Sequence, residues 1–303
     1  MRVVTISMAL EFRKVKNIEE NLDYVKNLFE EIKNISPCFV VLPEVFAFAG
    51  LPCLYKNIKK EEIEKVKNFL VDIAKKTNCW IVGSTYDMEK DKIFNRCFFI
   101  NRKGEIVGKY DKIHPTEDEM ENGIYPGSKK QLPIDTEFGK IGAFICFDAN
   151  WPENLKYQID NGARLFVFSS AFPGGRILNS ISLLYQIFII SGVWHLKSGI
   201  IDNTGRWIKR TDRFSYWVWA DINIERTVFH WDYQGDKIKE IIRKYGDKVQ
   251  IETFGDEALF TIETLDKNLS VSQIIKEFSL VTYKDYIKRA ERKQNEKRSC
   301  LQE

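Results

Sequence analysis

The stretch Ile141 to Glu153, IGAFICFDANWPE, constrains the fold of this chain more than any other. Gly142 to Phe147 has the length and the β-branched and aromatic content of a buried strand. Trp151-Pro152-Glu153 then reads as a helix opening, with proline in the first turn and an acidic residue just after it. Cys146 sits at the boundary between the two. A thiol at a strand-to-helix junction meets backbone N–H groups and the positive end of a helix dipole, which favour a thiolate and can hold an oxyanion. Taken alone, Cys146 reads as one more small buried hydrophobe, so other stretches must decide its role.

With 303 residues, 44% of them hydrophobic, the chain can bury a large core, and it contains no Ser/Gly/Pro-rich linker. This predicts one domain over residues 1–265 followed by a C-terminal helical extension over 266–303, either an exposed helix that frays or an arm lying on a partner subunit. The 46 basic and 43 acidic residues are interspersed, with a formal charge of +3, which speaks against a nucleic-acid partner. Six widely spaced cysteines without a C-x-x-C pair, and only three histidines, argue against a disulfide framework or a metal cluster. The expectation is a cofactor-free, metal-free protein of a reducing cytoplasm. MRVVTISMAL enters a strand pattern at once, and the apolar run Ile177 to Trp194 is broken by Asn179, Ser180, Ser182 and Gln186. Neither secretion nor a membrane partner is therefore expected.

Taken in order, residues 2–10 read as a strand. Asn17 with Glu20 forms a capping box for a helix whose apolar face is Ile18, Leu22, Val25, Leu28 or Phe29, and Ile32. Phe39 to Leu42 is a second strand ending in Pro43-Glu44. It delivers a carboxylate to the C-terminal end of a buried strand, where α/β sheets keep their ligands. A helix over Glu61 to Asn78 and strands over Trp80–Tyr86, Ile93–Ile100 and Glu105–Tyr110 lead to a charged loop, YDKIHPTEDE, with Lys112 at its root. Alone, Glu44 and Lys112 are ordinary solvated groups. Beyond Cys146 the pattern predicts a helix from about Trp151 to Gly162, a strand over Leu165 to Ser169 and a pocket wall at SAFPGGR. A helix over Ile177 to Ser191 comes next, then strands at Gly199–Ile201, Trp207–Arg210 and Tyr216–Ile222. Asp236–Tyr245 and Ser270–Phe278 read as amphipathic helices, and Lys284 to Glu303 as an exposed, charged helix.

A strand-end glutamate in VVLPE, a loop lysine in KYDKIHP and a junction cysteine in ICFDANWPE succeed one another in the order and spacing that resembles the nitrilase superfamily of carbon-nitrogen hydrolases. FNRCFFINRKGEIVGKYDK, the YPG before the cysteine strand and SSAFPGG after it extend the likeness to about residue 225. The resemblance implies a catalytic Glu44, Lys112 and Cys146, joined by a second glutamate, Glu119 or alternatively Glu117. It implies an α+β fold, a single-domain four-layer αββα sandwich of nitrilase type, and a homodimer or larger homo-oligomer. The implied activity is hydrolysis of a non-peptide carbon-nitrogen bond, amide or carbamoyl, through a cysteine thioester with release of ammonia. Hydrolysing such a bond in two steps needs a soft nucleophile, a group that moves protons and donors for developing negative charge. Cys146, Glu44, and Lys112 with the Phe147 N–H supply these. Phe147 and Phe172 are the expected substrate-contacting side chains.

The alternatives are a nitrile-hydrolysing enzyme and a non-catalytic binding descendant of the fold. Nitrile hydrolysers of the superfamily tend to have Trp-Glu after the cysteine, where this chain has Phe147-Asp148. Carbamoyl-amino-acid hydrolysers carry basic residues soon after it, where this chain has Ala149 and Asn150, with Arg176 as a substitute. No triad member is lost here.

Overall fold

The computed structural model describes residues 1–52 and 58–300; Cys53 and the last three residues of the charged C-terminal segment lie outside the described residues. The chain divides into two compact units, Met1–Ile222 and Asn223–Glu303.

The first unit holds two six-stranded sheets. The first contains β1 (Arg2–Ile6), β2 (Phe39–Val41), β3 (Trp80–Glu89), β4 (Lys92–Ile100), β5 (Ile106–Asp111) and β12 (Trp217–Asp221), in the order β12-β1-β2-β3-β4-β5. The second contains β6 (Ile134–Thr136), β7 (Gly139–Ile145), β8 (Leu165–Ser170), β9 (Phe188–Val193), β10 (Gly199–Ile201) and β11 (Trp207–Arg210), in the order β11-β10-β9-β8-β7-β6. β1, β2 and β3 run parallel, as do β7, β8 and β9. Their C-terminal ends therefore gather where open α/β sheets place ligands.

Side-chain alternation assigns the faces. Val4, Ile6, Val40, Leu42 and Ile81 join Val25, Leu28 and Ile32 of α1 (Ile18–Ile32) and Val66, Leu70 and Ile73 of α2 (Lys60–Thr77) in one buried cluster. The alternate residues face the second sheet: Thr5 Oγ1 donates to the Ser191 carbonyl at 2.8 Å, and Ser169 Oγ to that of Leu42 at 2.9 Å. The sheets come close at Gly192, where a Cβ would lie 2.9 Å from the Leu42 carbonyl carbon and 3.0 Å from Pro43 N. On the outer side of the second sheet, α4 (Leu155–Asp160) brackets Ala143 through Gln158, whose amide accepts from its N–H at 3.0 Å and donates to its carbonyl at 2.8 Å. Helices thus flank both sheets, as the αββα expectation requires.

The predicted helix over Ile177 to Ser191 is corrected. α5 (Arg176–Tyr185) stops at Gln186, which is left-handed at φ 52°, and the chain continues as β9. Phe188-Ile189-Ile190 forms a strand buried between β8 and β10, where an apolar run this short carries no periodicity of its own. The predicted helix from Trp151 is also broken. Cys146–Asn150 and Pro152–Asn154 are 3₁₀ turns separated by Trp151 at φ −123°, and only Leu155–Asp160 is α-helical.

The second unit corrects the boundary at residue 265. β13 (Thr227–His230) and β14 (Val249–Phe254) both pair with β15 (Leu259–Thr264), forming a separate three-stranded sheet. The segment from 223 to 265 therefore belongs with the C-terminal helices. Phe229, Phe260 and Ile262 of this sheet share a core with Ile241 of α6 (Lys237–Tyr245) and Val271 and Ile274 of α7 (Val271–Glu277). α8 (Tyr283–Ser299) has no buried residue within it. Among the described residues no helix is long and apolar enough to cross a membrane.

Candidate active site

Glu44, Lys112 and Glu119 come together at the C-terminal ends of the parallel strands. Their exposures are 3%, 2% and 4%, so these charges are withdrawn from water and must compensate one another. Lys112 Nζ donates to Glu44 Oε1 at 2.8 Å and to Glu119 Oε2 at 2.7 Å. Burial alone pulls the lysine pKa down, but Glu44, Cys146 and Glu119 raise it above its ordinary value, so Lys112 is a fixed cation. Glu117 is exposed and Glu119 is buried, so it is Glu119 whose carboxylate reaches the Lys112 ammonium.

Each member is held by its local backbone. After Glu44 the chain turns sharply through Val45, a β-branched residue in the left-handed region at φ 36°. The Val45 N–H is held by Ser84 Oγ at 3.1 Å. Glu44 Oε2 accepts the Ala171 N–H at 2.9 Å, and its carbonyl accepts the indole N–H of Trp194. Glu119 sits in the first turn of α3 (Glu117–Glu121). There Oε2 also accepts the Thr116 N–H at 2.7 Å while Thr116 Oγ1 caps the Glu119 N–H at 3.2 Å. This capping box fixes the carboxylate before any substrate arrives.

Cys146 occupies a second left-handed turn, at φ 50°. Its thiol is pushed up to about 12 by burial and then by the Glu44 charge, against the lowering effects of Lys112, Ser170 and the Ala171 N–H. The expected helix N-terminus at the thiol is corrected: Cys146 opens only a short 3₁₀ turn, whose dipole is small, and burial together with the Glu44 charge favours the neutral thiol. Phe147 is half-buried, with its ring edge-on to Trp151 at 5.1 Å, and its N–H lies at the start of the 3₁₀ turn, where the first amides lack intrahelical partners. Phe172 is half-buried at the end of the β8 wall, edge-on to Phe168 at 5.8 Å.

Sequence reasoning missed two residues here. Asn95 Nδ2 donates to Glu44 Oε1 at 2.7 Å and to Glu119 Oε1 at 3.3 Å, while its Oδ1 accepts from Ser84 Oγ at 3.0 Å. A buried asparagine inside the strand FNRCFFI is an unfavoured residue type there, and that was its signal. Asp148, 3% exposed, accepts from Tyr110 OH, Ile145 N and His114 N at 2.9, 2.9 and 2.7 Å. It thereby ties the lysine loop to the cysteine turn. His114 contacts Asp148 Oδ1 through Nδ1 at 3.2 Å and stacks on Trp151 at 4.1 Å. On the far side of the loop root, the buried Arg96 grips Asp111, Asp87 and Glu89.

This arrangement offers a neutral thiol, a proton-accepting carboxylate, a permanent cation and backbone donors within one buried cluster. Among the described residues, no group of three or more His, Cys, Asp or Glu side chains could hold a metal ion.

A sequence profile of the family described as carbon-nitrogen hydrolase matches residues 2–227. The chain is 29% identical over 174 residues to an omega-amidase of Saccharomyces cerevisiae, covering 52% of this chain and 59% of that protein. It is 27% identical over 169 residues to the human deaminated glutathione amidase, covering 51% and 52%. The chain thus spans only about half the length of these curated relatives. A solved mutant of an amidase of the nitrilase superfamily from Nesterenkonia superposes with a TM-score of 0.66 at 17% identity, covering 81% of this chain and 97% of that one. A carbon-nitrogen hydrolase from Helicobacter pylori gives 0.64 at 16% identity, covering 81% and 92%. With the profile spanning the entire two-sheet unit, the chain belongs to the carbon-nitrogen hydrolase family of the nitrilase superfamily.

Proposed function

We propose that the protein is a cysteine amidase that hydrolyses a small amide and releases ammonia. The observation that carries this reading is the bridging of Glu44 and Glu119 by Lys112 within electrostatic reach of the Cys146 thiol. Cys146 Sγ attacks the amide carbon while its proton passes to Glu44. The resulting oxyanion is held by Lys112 and the Phe147 N–H. Glu44 then gives its proton to the departing nitrogen, the C–N bond breaks and ammonia leaves a thioester. Water, deprotonated by Glu44, attacks the thioester carbon, and collapse returns the acid product and the thiol. Glu119 and Asn95 hold Lys112 and Glu44 in register. A neutral resting thiol suits this scheme, because proton transfer to Glu44 accompanies attack. The names of the amidase relatives favour an amide over a nitrile.

A homo-oligomer is part of the same proposal. It is supported by the exposed apolar residues Leu184 (69%) and Ile177 (40%) on α5, and static light scattering at micromolar concentration tests it. The chemistry is tested by ammonia release over a panel of aliphatic amides, carbamoyl amino acids and nitriles, with intact-mass detection of an adduct on Cys146. Amide turnover that Cys146→Ala and Cys146→Ser reduce by several powers of ten is the expected result. More than about a tenth of the wild-type rate in either variant refutes a cysteine nucleophile.

A further inference from the structure

At the end of the first sheet away from Glu44, the starts of β2 and β3 bring two cysteines together. Cys38 and Cys79 immediately precede Phe39 and Trp80, which pair in parallel register. The Trp80 N–H donates to the Cys38 carbonyl at 2.9 Å, so the pairing reaches the cysteine backbone. Their Cα atoms therefore stand about 4.8 Å apart, inside the roughly 4.4–6.8 Å that a disulfide spans. The pleat turns both thiols the same way. Phe39 and Trp80 pack edge-on against Phe138 on one face, so Cys38 and Cys79 point to the other, where Cys79 joins the cluster shared with α1 and α2. The Cys79 thiol donates at 3.0 Å to the Pro37 carbonyl, in the peptide that enters Cys38.

The two thiols differ in access. Cys79 is 1% exposed, whereas Cys38 is half-buried and lines a cavity of about 400 Å³ with Phe29, Ile32, Thr77 and Arg102. A small solute entering this cavity meets Cys38 and not Cys79. The Arg102 guanidinium donates to Glu137 at 2.7 Å, and its pKa lies above the ordinary value first because of that carboxylate and then because of a hydrogen bond with Cys38. A cation at this thiol stabilises negative charge released beside it.

We propose that Cys38 and Cys79 form a peroxide-reactive dithiol that closes reversibly to a disulfide, a modification site separate from the catalytic cluster. The Cys38 sulfur, as its thiolate, attacks one oxygen of hydrogen peroxide and the O–O bond breaks. Sulfur is oxidised to the sulfenic acid, and the hydroxide that leaves takes up the proton lost from Cys38 as water. The Cys79 sulfur then attacks the Cys38 sulfur, the S–O bond breaks, and the Cys79 thiol proton joins the departing hydroxide as a second water. A thiol reductant reopens the bond by exchange. Burial keeps Cys79 from the peroxide but beside the one sulfur it can trap, so oxidation stops at the disulfide.

In the test, the full-length protein is treated with about ten equivalents of hydrogen peroxide. Its remaining thiols are blocked with iodoacetamide during denaturation, and non-reducing peptide maps of the monomer band are read by mass spectrometry. The expected result is a linked pair of peptides carrying Cys38 and Cys79, lighter by two hydrogens and returned to free thiols by dithiothreitol. Cys79→Ala should divert Cys38 to a sulfenic acid that dimedone captures, and Cys38→Ser should slow oxidation of Cys79 by about tenfold or more. Circular dichroism confirms the fold of each variant, and if Cys79→Ala fails to fold, Cys79→Ser takes its place. Cys38 left reduced, Cys38 driven to sulfinic acid without the linked pair, or a link found only between molecules overturns the proposal. Oxidation of Cys79 at the wild-type rate in Cys38→Ser also overturns it, because peroxide would then reach Cys79 directly. Amide turnover enters none of these readouts, so their failure leaves the amidase reading standing.

Discussion

The phenol of Tyr110 donates to the carboxylate of Asp148 at 2.9 Å, joining the strand that leads to Lys112 with the turn that carries Cys146. Tyr110 belongs to the first sheet and Asp148 to the loop leaving the second, so this bond sets the Lys112 loop relative to the turn that carries Cys146. Asp148→Asn keeps the shape but replaces an acceptor oxygen with a donor facing N–H and O–H groups. It should lower kcat about 100-fold with a much smaller change in KM, and cost on the order of 2 kcal/mol in urea unfolding. Tyr110→Phe should do less on both counts. Wild-type kcat in Asp148→Asn would show that the bond positions nothing.

Glu44→Gln tests the proposed proton-transfer role separately from the structural one. A neutral amide fills the same space between Lys112, Asn95 and the Ala171 N–H but cannot accept the thiol proton. Both formation and breakdown of the acyl-enzyme should slow by about 100-fold or more. Rapid-quench intact-mass spectrometry reads the two steps separately. An adduct that forms and clears at the wild-type rate would assign the base elsewhere.

Lys112→Met should cost stability as well as rate. It removes the cation that donates to both Glu44 and Glu119, leaving two carboxylates buried side by side. Breaking such a pair typically costs about 3–5 kcal/mol. For a unit of this size that corresponds to a fall in Tm of roughly 10 °C, measurable by calorimetry. A Tm within about 2 °C of wild type would mean that water enters the variant site and solvates the carboxylates.

Alkaline pH should ionise two thiols that the fold shields, Cys97, which is buried, and Cys146, which is half-buried. Burial pushes both Cys146 and Cys97 up to about 12 in the folded protein, whereas a thiol in the unfolded chain titrates near about 8.5. Because the folded value is the higher, the stability contributed by the neutral thiols is complete below about pH 8.5 and is lost as pH rises through about 12. Cys146→Ala and Cys97→Ala should each flatten the decline of unfolding free energy over that window. Equal slopes in wild type and both variants would place the thiols in contact with water.

Glu44 and Cys146 stood out in the sequence because each stands where an apolar run ends, whereas Lys112, at the root of a charged loop, was singled out through the motif resemblance. Asn95 was not legible. It sits inside a strand, and strand alternation gives its face but not which side chains converge on that face from β2 and α3. Asp148 was visible only as a residue just past the cysteine. Its partners, Tyr110 and the His114 N–H, lie more than thirty residues away and are brought near by the meeting of two sheets. The strand Phe188 to Val193 was hidden for a related reason: buried on both faces, it shows no alternation to separate it from the helix that precedes it. The three strands after residue 222 are short, and the charged residues among them masked a second small core.

Gly192 contributes no chemistry, yet it governs how far the sheet that carries Cys146 stands from the sheet that leads to Glu44. Its bare Cα faces the Leu42–Pro43 peptide immediately before Glu44, with 2.9 Å available to a methyl group that needs more. Any side chain there would act as a wedge driven between the sheets beside the site. The displacement would be a few tenths of an ångström, too little to unfold the protein and enough to lengthen the path of the thiol proton. Random mutagenesis would score this glycine among the catalytic residues, and directed repair of such a variant would come from shortening a side chain on the opposite sheet.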